Sequence, residues 1–176
     1  IRKYDFVLVT VGNRLDVEMS KEFIDMICSF IEKMENVRWL VVGPKQINYL
    51  NNRYSSLINN KRIIKISYER DLSALYKICD VYANPIRKGG GFSIGMAMNE
   101  GLPVIVTKDS QDGAGWIGIE NCIDNCLGKY LEELNLLYSD NEYRVNREKL
   151  MKLEIQKFEY ARYIGKLIEV FKFARP

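Results

Sequence analysis

The chain has 176 residues, 47% of them hydrophobic and 28% charged, with a net charge of +3 and no histidine. That is enough for one domain with a sizeable core, and no apolar run approaches the roughly 20 residues that span a bilayer. The small net charge makes no demand for a nucleic-acid partner, and the lack of histidine removes Ser-His-Asp and Cys-His catalysis and any His-ligated metal from this chain.

Ile1 to Asp5 carries no signal-peptide pattern and leads into Phe6 to Val11, an apolar run that reads as a buried strand. The chain opens without Met, as a fragment or excised domain would. Gly12-Asn13-Arg14 follows as a turn. Glu18 to Met34 predicts a helix, with Phe23, Ile27, Phe30, Ile31 and Met34 at helical spacing. Trp39 to Gly43 is the next strand, closed by Pro44, and Gln46 to Ile58 a weaker helix. Ile63 to Ile66 is a short strand ending at Ser67-Tyr68. Leu72 to Cys79 predicts a helix capped by Asp71 or a nearby residue. Val81 to Asn84 is a strand, and Arg87-Lys88-Gly89-Gly90-Gly91-Phe92-Ser93 follows as a glycine loop. A helix from Ile94 to Asn99, the turn Gly101-Leu102-Pro103 and a strand from Val104 complete the pattern. Asp109 to Asn125 reads as irregular loop broken by Gly113, Gly115 and Gly118. Leu127 to Tyr138 returns to helix. Glu142 to Phe173 reads as mostly helical, with Ile155, Phe158, Ala161, Ile164, Ile168 and Phe171 on roughly one stripe.

This alternation predicts an α/β fold, a Rossmann-like doubly wound parallel sheet with helices on both faces. Ligands of such sheets lie beyond the carboxyl ends of the strands. Gly12-Asn13-Arg14, Ser67-Tyr68 and the glycine loop all fall on that edge and are expected to share one crevice. Glycines let a ligand approach the backbone closely. A helix start offers unpaired N–H groups and partial positive charge, and Arg87, Lys88 and the Ser93 hydroxyl add donors. The physical reading is a phosphate or diphosphate site.

Blander readings stand beside these. Arg14 suits either a diphosphate contact or a local ion pair with Asp16 or Glu18. Tyr68 can simply pack at a strand end, and Lys88 can be solvated on the loop rim. Asp80 suits a helix-to-strand turn. Asp109 and Asp112 suit either orientation of ligand hydroxyls or plain solvation. Cys28 and Cys79 read as core residues. Cys122 and Cys126 have no second pair, so no metal site is expected and a reducing cytoplasmic setting fits.

Residues 141–176 hold nine Lys/Arg and five Glu, so the basic excess lies at the C-terminal end. A solvated helix face explains it, and so does a surface near anionic lipid or an acidic partner.

The run Asp71 to Pro85, the segment Gly89-Gly90-Gly91-Phe92-Ser93, and Ala97-Met98-Asn99-Glu100-Gly101-Leu102-Pro103-Val104-Ile105 together resemble the C-terminal, nucleotide-sugar-binding domain of GT-B-fold glycosyltransferases of the glycosyl transferases group 1, or family 4, class. Gly12-Asn13-Arg14-Leu15 looks like that family's "G-R-L" turn, and Leu40 to Gly43 like its "L-x-I-V-G" strand. The resemblance runs from about Phe6 to Ser139. It implies a nucleotide-sugar-binding domain over residues 1–140. A C-terminal helical segment, 141–176, is expected to pack on it or bridge to a missing N-terminal domain. It further implies a retaining glycosyltransferase that moves a sugar from a nucleotide diphosphate sugar, UDP-sugar first among them, to a glycan or lipid-linked acceptor in polysaccharide biosynthesis. The isolated domain would be inactive. Gly12, Asn13, Arg14, Lys88, Gly89, Gly90, Gly91, Phe92 and Ser93 would then hold the donor phosphates and sugar, and Ser67 and Tyr68 the base. No cofactor or metal is implied. Location would be cytoplasmic, with peripheral attachment at the inner face of the membrane as the option its basic end suggests.

Two departures stand out. The family usually places glutamates eight positions apart, where this chain has Lys88 and Met96. Glu100, one helical turn past Met96, is the nearest carboxylate for sugar or ribose. Loss of both positions is also what a non-catalytic nucleotide-sugar-binding or regulatory module would show. A sugar-nucleotide epimerase shares the architecture, but such enzymes usually rely on acid/base side chains.

Overall fold

The computed structural model describes residues 1–43, 46–89 and 91–158. In chain order the elements are β1 (Phe6–Val11), α1 (Leu15–Glu18), α2 (Lys21–Lys33), β2 (Val37–Val42), α3 (Asn48–Arg53), α4 (Ser55–Asn59), β3 (Ile63–Ile66), α5 (Leu72–Tyr76), β4 (Val81–Ala83), α6 (Gly91–Asn99), β5 (Val104–Ile105), α7 (Gln111–Ile117), a 3-10 turn (Ile119–Asn121), α8 (Leu127–Ser139) and α9 (Asn141–Gln156).

The strands form one parallel sheet in the order β3-β2-β1-β4-β5. This is the doubly wound arrangement the alternation predicts. The chain reverses direction of travel between β1 and β4, which therefore flank the switch point where ligands of such sheets bind. Register carries β1 onto β2 from Phe6↔Val37 to Val11↔Val42, and onto β4 at Leu8↔Val81 and Val9↔Tyr82.

The strand period of two sorts the core into two layers. Val7, Val9 and Val11 face Leu75, Ile94, Met98, Ile117 and Met151 on one side. Phe6 and Leu8 face Phe23, Ile27, Trp39, Tyr130 and Leu134 on the other. Each fully buried aliphatic or aromatic side chain contributes about 1.5–3 kcal/mol, so these two layers supply the main stabilisation. Thr10 is the exception inside β1. It is completely buried, donating from Oγ1 to the Ala83 carbonyl at 2.7 Å and accepting from Trp39 Nε1 at 2.9 Å. One hydroxyl thus ties β2, β1 and β4 together.

Several expected elements divide. The helix read from Glu18 to Met34 is two. Met19 turns inward to the core, and Ser20 caps α2 by accepting from the Phe23 N–H at 3.1 Å. Gln46 to Ile58 breaks at Tyr54, whose backbone leaves the helical region between α3 and α4. The loop read from Asp109 to Asn125 contains α7 and the 3-10 turn, and Gly113 and Gly115 lie inside α7 rather than breaking it. At Gly113 a side chain would collide with Val106, Ile94 and Ser110, so glycine there serves close packing rather than a break. Asp71 does cap α5, accepting from Ala74 N–H at 2.9 Å. Asp80 anchors the helix-to-strand turn, its Oδ2 accepting from Val7 N–H at 2.7 Å, and burial pushes its carboxyl up.

The helix α9 packs on α6, α7 and α8 with Met151 fully buried. Ile155 and Phe158 begin the predicted stripe, and Phe158 meets the Trp116 ring at 4.9 Å between centroids. Ala161, Ile164, Ile168 and Phe171 lie outside the described residues. Among the described residues no helix is long and apolar enough to cross a membrane.

Candidate functional site

A cleft of about 500 Å³ opens at the switch point, lined among others by Gly12, Asn13, Arg14, Glu18, Arg87, Gly91, Phe92, Ser93 and Asp112. Its floor is the turn leaving β1. Its far wall is the start of α6, whose first N–H groups have no acceptor within the helix. Six of the sequence-predicted donor residues meet here: Gly12, Asn13, Arg14, Gly91, Phe92 and Ser93.

Arg87 is the organiser of the floor. It is 7% exposed. Its Nε donates to Asn84 Oδ1 at 3.0 Å, Nη1 to Glu18 Oε2 at 2.7 Å, and Nη2 to the Val11 carbonyl at 2.9 Å. Its place in the glycine-loop run had suggested a phosphate donor; the structure makes it a clamp joining the glycine loop to β1 and α1. Gly12 is required beside it, since a side chain there would collide with the Arg87 guanidinium. Arg14, by contrast, is exposed and lines the cleft while its Nε lies 4.0 Å from Glu18 Oε1, the local ion pair that was the alternative reading of this residue, at the outer limit of such a contact.

Two buried tyrosines fix the start of α6. Tyr82 donates to the Val11 carbonyl at 3.0 Å and therefore accepts from the Ser93 hydroxyl at 2.8 Å, and Tyr76 donates to the Ser93 carbonyl at 3.2 Å. The hydroxyl proton read from the sequence as a ligand donor is thus held by Tyr82. Burial pushes both phenols well up from their ordinary range, so they remain O–H donors. No sequence signal distinguished these two tyrosines from the chain's other nine.

The remaining predicted residues are not among those lining the cleft. Lys88 is exposed, and its carbonyl accepts from the Asp112 N–H at 3.3 Å. Gly89 lies between Glu18 and Asp112. Gly90 lies outside the described residues. Ser67 and Tyr68 are exposed beyond the end of β3, Tyr68 at 74%, and line no cavity among those described. Glu100 faces a second cavity, about 640 Å³, on the outer side of α6 with Ser73, Phe92, Met96, Trp116 and Phe158. There it accepts from Ser73 Oγ at 2.5 Å and pairs with Lys77 at 3.6 Å. The Ser73 bond, then the Lys77 ammonium, hold its carboxyl below the usual range. Phe92 is shared by both cavities. The described residues contain no group of three or more His, Cys, Asp or Glu placed to hold a metal ion.

The sequence profile of one family, glycosyl transferases group 1, matches residues 5–122. No curated protein matches the chain significantly by sequence. Solved structures match it by fold. The glycosyltransferase WaaG, involved in lipopolysaccharide biosynthesis, superposes with a TM-score of 0.75 at 20% identity, over 89% of this chain and 44% of its own. The C-terminal domain of LpcC, a glycosyl transferase group 1 family protein from Francisella tularensis, gives 0.70 at 18% identity over 86% of this chain and 85% of its own. A mutant of S. aureus TarM, in complex with fondaparinux, alpha-GlcNAc-glycerol and UDP, gives 0.73 at 12% identity over 97% of this chain and 36% of its own. The chain spans 35% to 44% of the first structures it matches, and its fold is that of the C-terminal half of a GT-B glycosyltransferase.

Proposed function

The chain belongs to the glycosyl transferases group 1 family, and from that membership we propose that it is the donor-binding half of a retaining enzyme that transfers a sugar from a UDP-sugar to a glycan or lipid-linked acceptor. One observation carries the reading: the cleft at the switch point brings the β1–α1 turn and the start of α6 together around an open, exposed arginine. The diphosphate lies between Arg14 and the first N–H groups of α6, and these groups stabilise the negative charge that grows on the leaving UDP. Lys88 adds charge from the rim. Because Arg87, Tyr82 and Tyr76 hold this frame before any ligand arrives, catalysis is largely positioning. The choice of UDP is supported by the UDP bound in the TarM complex. The base is held at Ser67 and Tyr68, and Glu100 serves the ribose or sugar side from the neighbouring cavity.

Donor binding in this proposal needs no metal or cofactor. An acceptor-binding domain outside this chain completes the site, and the isolated chain binds donor without turnover. The enzyme works in the cytoplasm in surface glycan assembly, with the basic C-terminal end at the inner face of the membrane. A second reading, a non-catalytic nucleotide-sugar-binding module, is favoured by Lys88 and Met96 at the positions where the resemblance expects carboxylates. Donor consumption by the full-length protein with an acceptor mixture separates the two.

The experiment for the site is thermal unfolding with UDP, GDP and ADP at millimolar concentration. At 100 times its dissociation constant UDP adds about 2.7 kcal/mol, seen as a raised Tm. A Tm unmoved by all three nucleotides rejects the donor site.

A further inference from the structure

Asp112 is the one cleft carboxylate that the fold leaves uncommitted among the described residues. Two others need to be set aside first. Glu18 faces the same space, but its Oε2 is bound by Arg87 at 2.7 Å. Asp109, next door in sequence, is engaged by Asn125 Nδ2 at 2.8 Å and does not line the cleft. No hydrogen bond or ion pair among the described residues engages the Asp112 side chain, which nonetheless lines the cleft.

Packing of α7 on the glycine loop places the Asp112 backbone, and its side chain is exposed. The Asp112 N–H donates to the Lys88 carbonyl at 3.3 Å. A methyl group on Gly91 would come within 2.9 Å of Asp112 Cβ and 3.0 Å of Trp116 Nε1, so the first turn of α7 sits directly on the glycine loop. A methyl group on Gly89 would find Asp112 Oδ2 at 4.0 Å and Glu18 Oε1 at 3.9 Å as its neighbours. Asp112 Oδ2 and Glu18 Oε1 therefore both lie close to Gly89.

Arg14 and the first N–H groups of α6 attract an anion. Asp112, seated on Gly91 beside that helix start, repels one, because two unscreened negative charges at contact distance oppose each other strongly. A diphosphate is drawn to Arg14 and the helix start. The group that reaches Asp112 from there must be uncharged and rich in donors, since a carboxylate offers only acceptors. Sugar hydroxyls fit that description, and charge-assisted hydrogen bonds to them are short and strong.

Resting on the donor-site reading above, we propose that Asp112 binds the hydroxyls of the donor sugar and makes the site selective for neutral sugars over uronic acids. Asn at this position keeps the shape and the packing on Gly91 while removing the charge. It therefore separates sugar recognition from a merely structural role.

The test is calorimetric titration of the full chain and its Asp112→Asn variant with UDP, UDP-glucose and UDP-glucuronic acid, with the ligand-free Tm of both proteins as the control for folding. The expected result has three parts. UDP binds both proteins alike. UDP-glucose binds the variant about tenfold more weakly, the size expected for a lost hydrogen bond to a charged group. The preference for UDP-glucose over UDP-glucuronic acid, present in the parent, closes in the variant. Equal UDP-glucose affinity in both proteins, with UDP binding intact, overturns the assignment of Asp112 and leaves the donor site standing. So does a parent that binds UDP-glucuronic acid as tightly as UDP-glucose. A parent that binds no UDP overturns the donor site and this assignment together.

Discussion

Arg87 and Glu18, 69 positions apart in sequence, meet in an ion pair of 2.7 Å whose arginine side chain is 3% exposed and whose glutamate is 23% exposed. The pair closes the floor of the cleft. It joins the loop after β4 to the short helix after β1, the two strands that flank the switch point. The same guanidinium also holds Asn84 and the Val11 carbonyl, so one side chain sets the relative position of three segments.

Replacing Arg87 with Met keeps the bulk and removes every one of these bonds. Breaking a buried pair by deleting one partner costs about 3–5 kcal/mol. The partial exposure of Glu18 puts the expected loss at the lower end, about 3 kcal/mol, read from the urea midpoint of unfolding. A loss below about 1 kcal/mol, the scale of a surface pair, means that Arg87 does not hold the floor.

Thr10→Val is nearly isosteric and strands two groups at once, Trp39 Nε1 and the Ala83 carbonyl. Leaving buried polar groups unpaired costs about 1–3 kcal/mol each. The expected destabilisation is about 2–4 kcal/mol, with indole fluorescence of the variant reporting the altered surroundings of Trp39. A variant as stable as the parent rules out the three-strand tie.

Ser73→Ala removes the bond that contributes most to the lowered carboxyl of Glu100. The pKa of Glu100 then rises towards the ordinary carboxylate range, as an NMR pH titration reads directly. The sign for stability follows. A folded-state value below the unfolded one gives stability that is present above the unfolded value, about 4.3, and is lost as pH falls through the folded value. The variant therefore has a shallower fall in Tm on the acid side. Identical acid limbs in variant and parent refute the coupling.

UDP affinity is expected to be the same in EDTA and in millimolar magnesium or manganese. The cleft offers arginine, helix N–H groups and two carboxylates, one of them already neutralised by Arg87. Binding abolished by EDTA and restored by either cation contradicts this.

The order β3-β2-β1-β4-β5 came from the structure; the parallel, doubly wound sheet was legible because each strand is a short apolar run bounded by turn residues and alternates with helical patterns. Helix boundaries were less so. Met19 and Tyr54 continue a helical pattern in sequence and interrupt the helices in space, Met19 by turning into the core. Gly113 and Gly115 look like breakers, yet α7 runs through both. In the site, local signals placed Gly12 to Arg14 and Gly91 to Ser93 on one edge. They could not tell that Arg87 points inward, because its partners Val11, Glu18, Tyr82 and Asn84 are assembled only by the fold. Asp112 looked like one of several loop acids; its place over Gly91 depends on α7, which sequence did not reveal.

The Val11 carbonyl receives both Tyr82 and Arg87, so both its lone pairs are occupied. The last residue of β1 has nothing left to offer a solvent molecule and no cause to fray. A ligand that reaches this floor meets a surface already in its working shape, and the encounter has no slow ordering step to wait for. Association of a nucleotide should therefore follow a single exponential whose rate climbs in proportion to ligand concentration, leaving the lifetime of the complex to distinguish one donor from another.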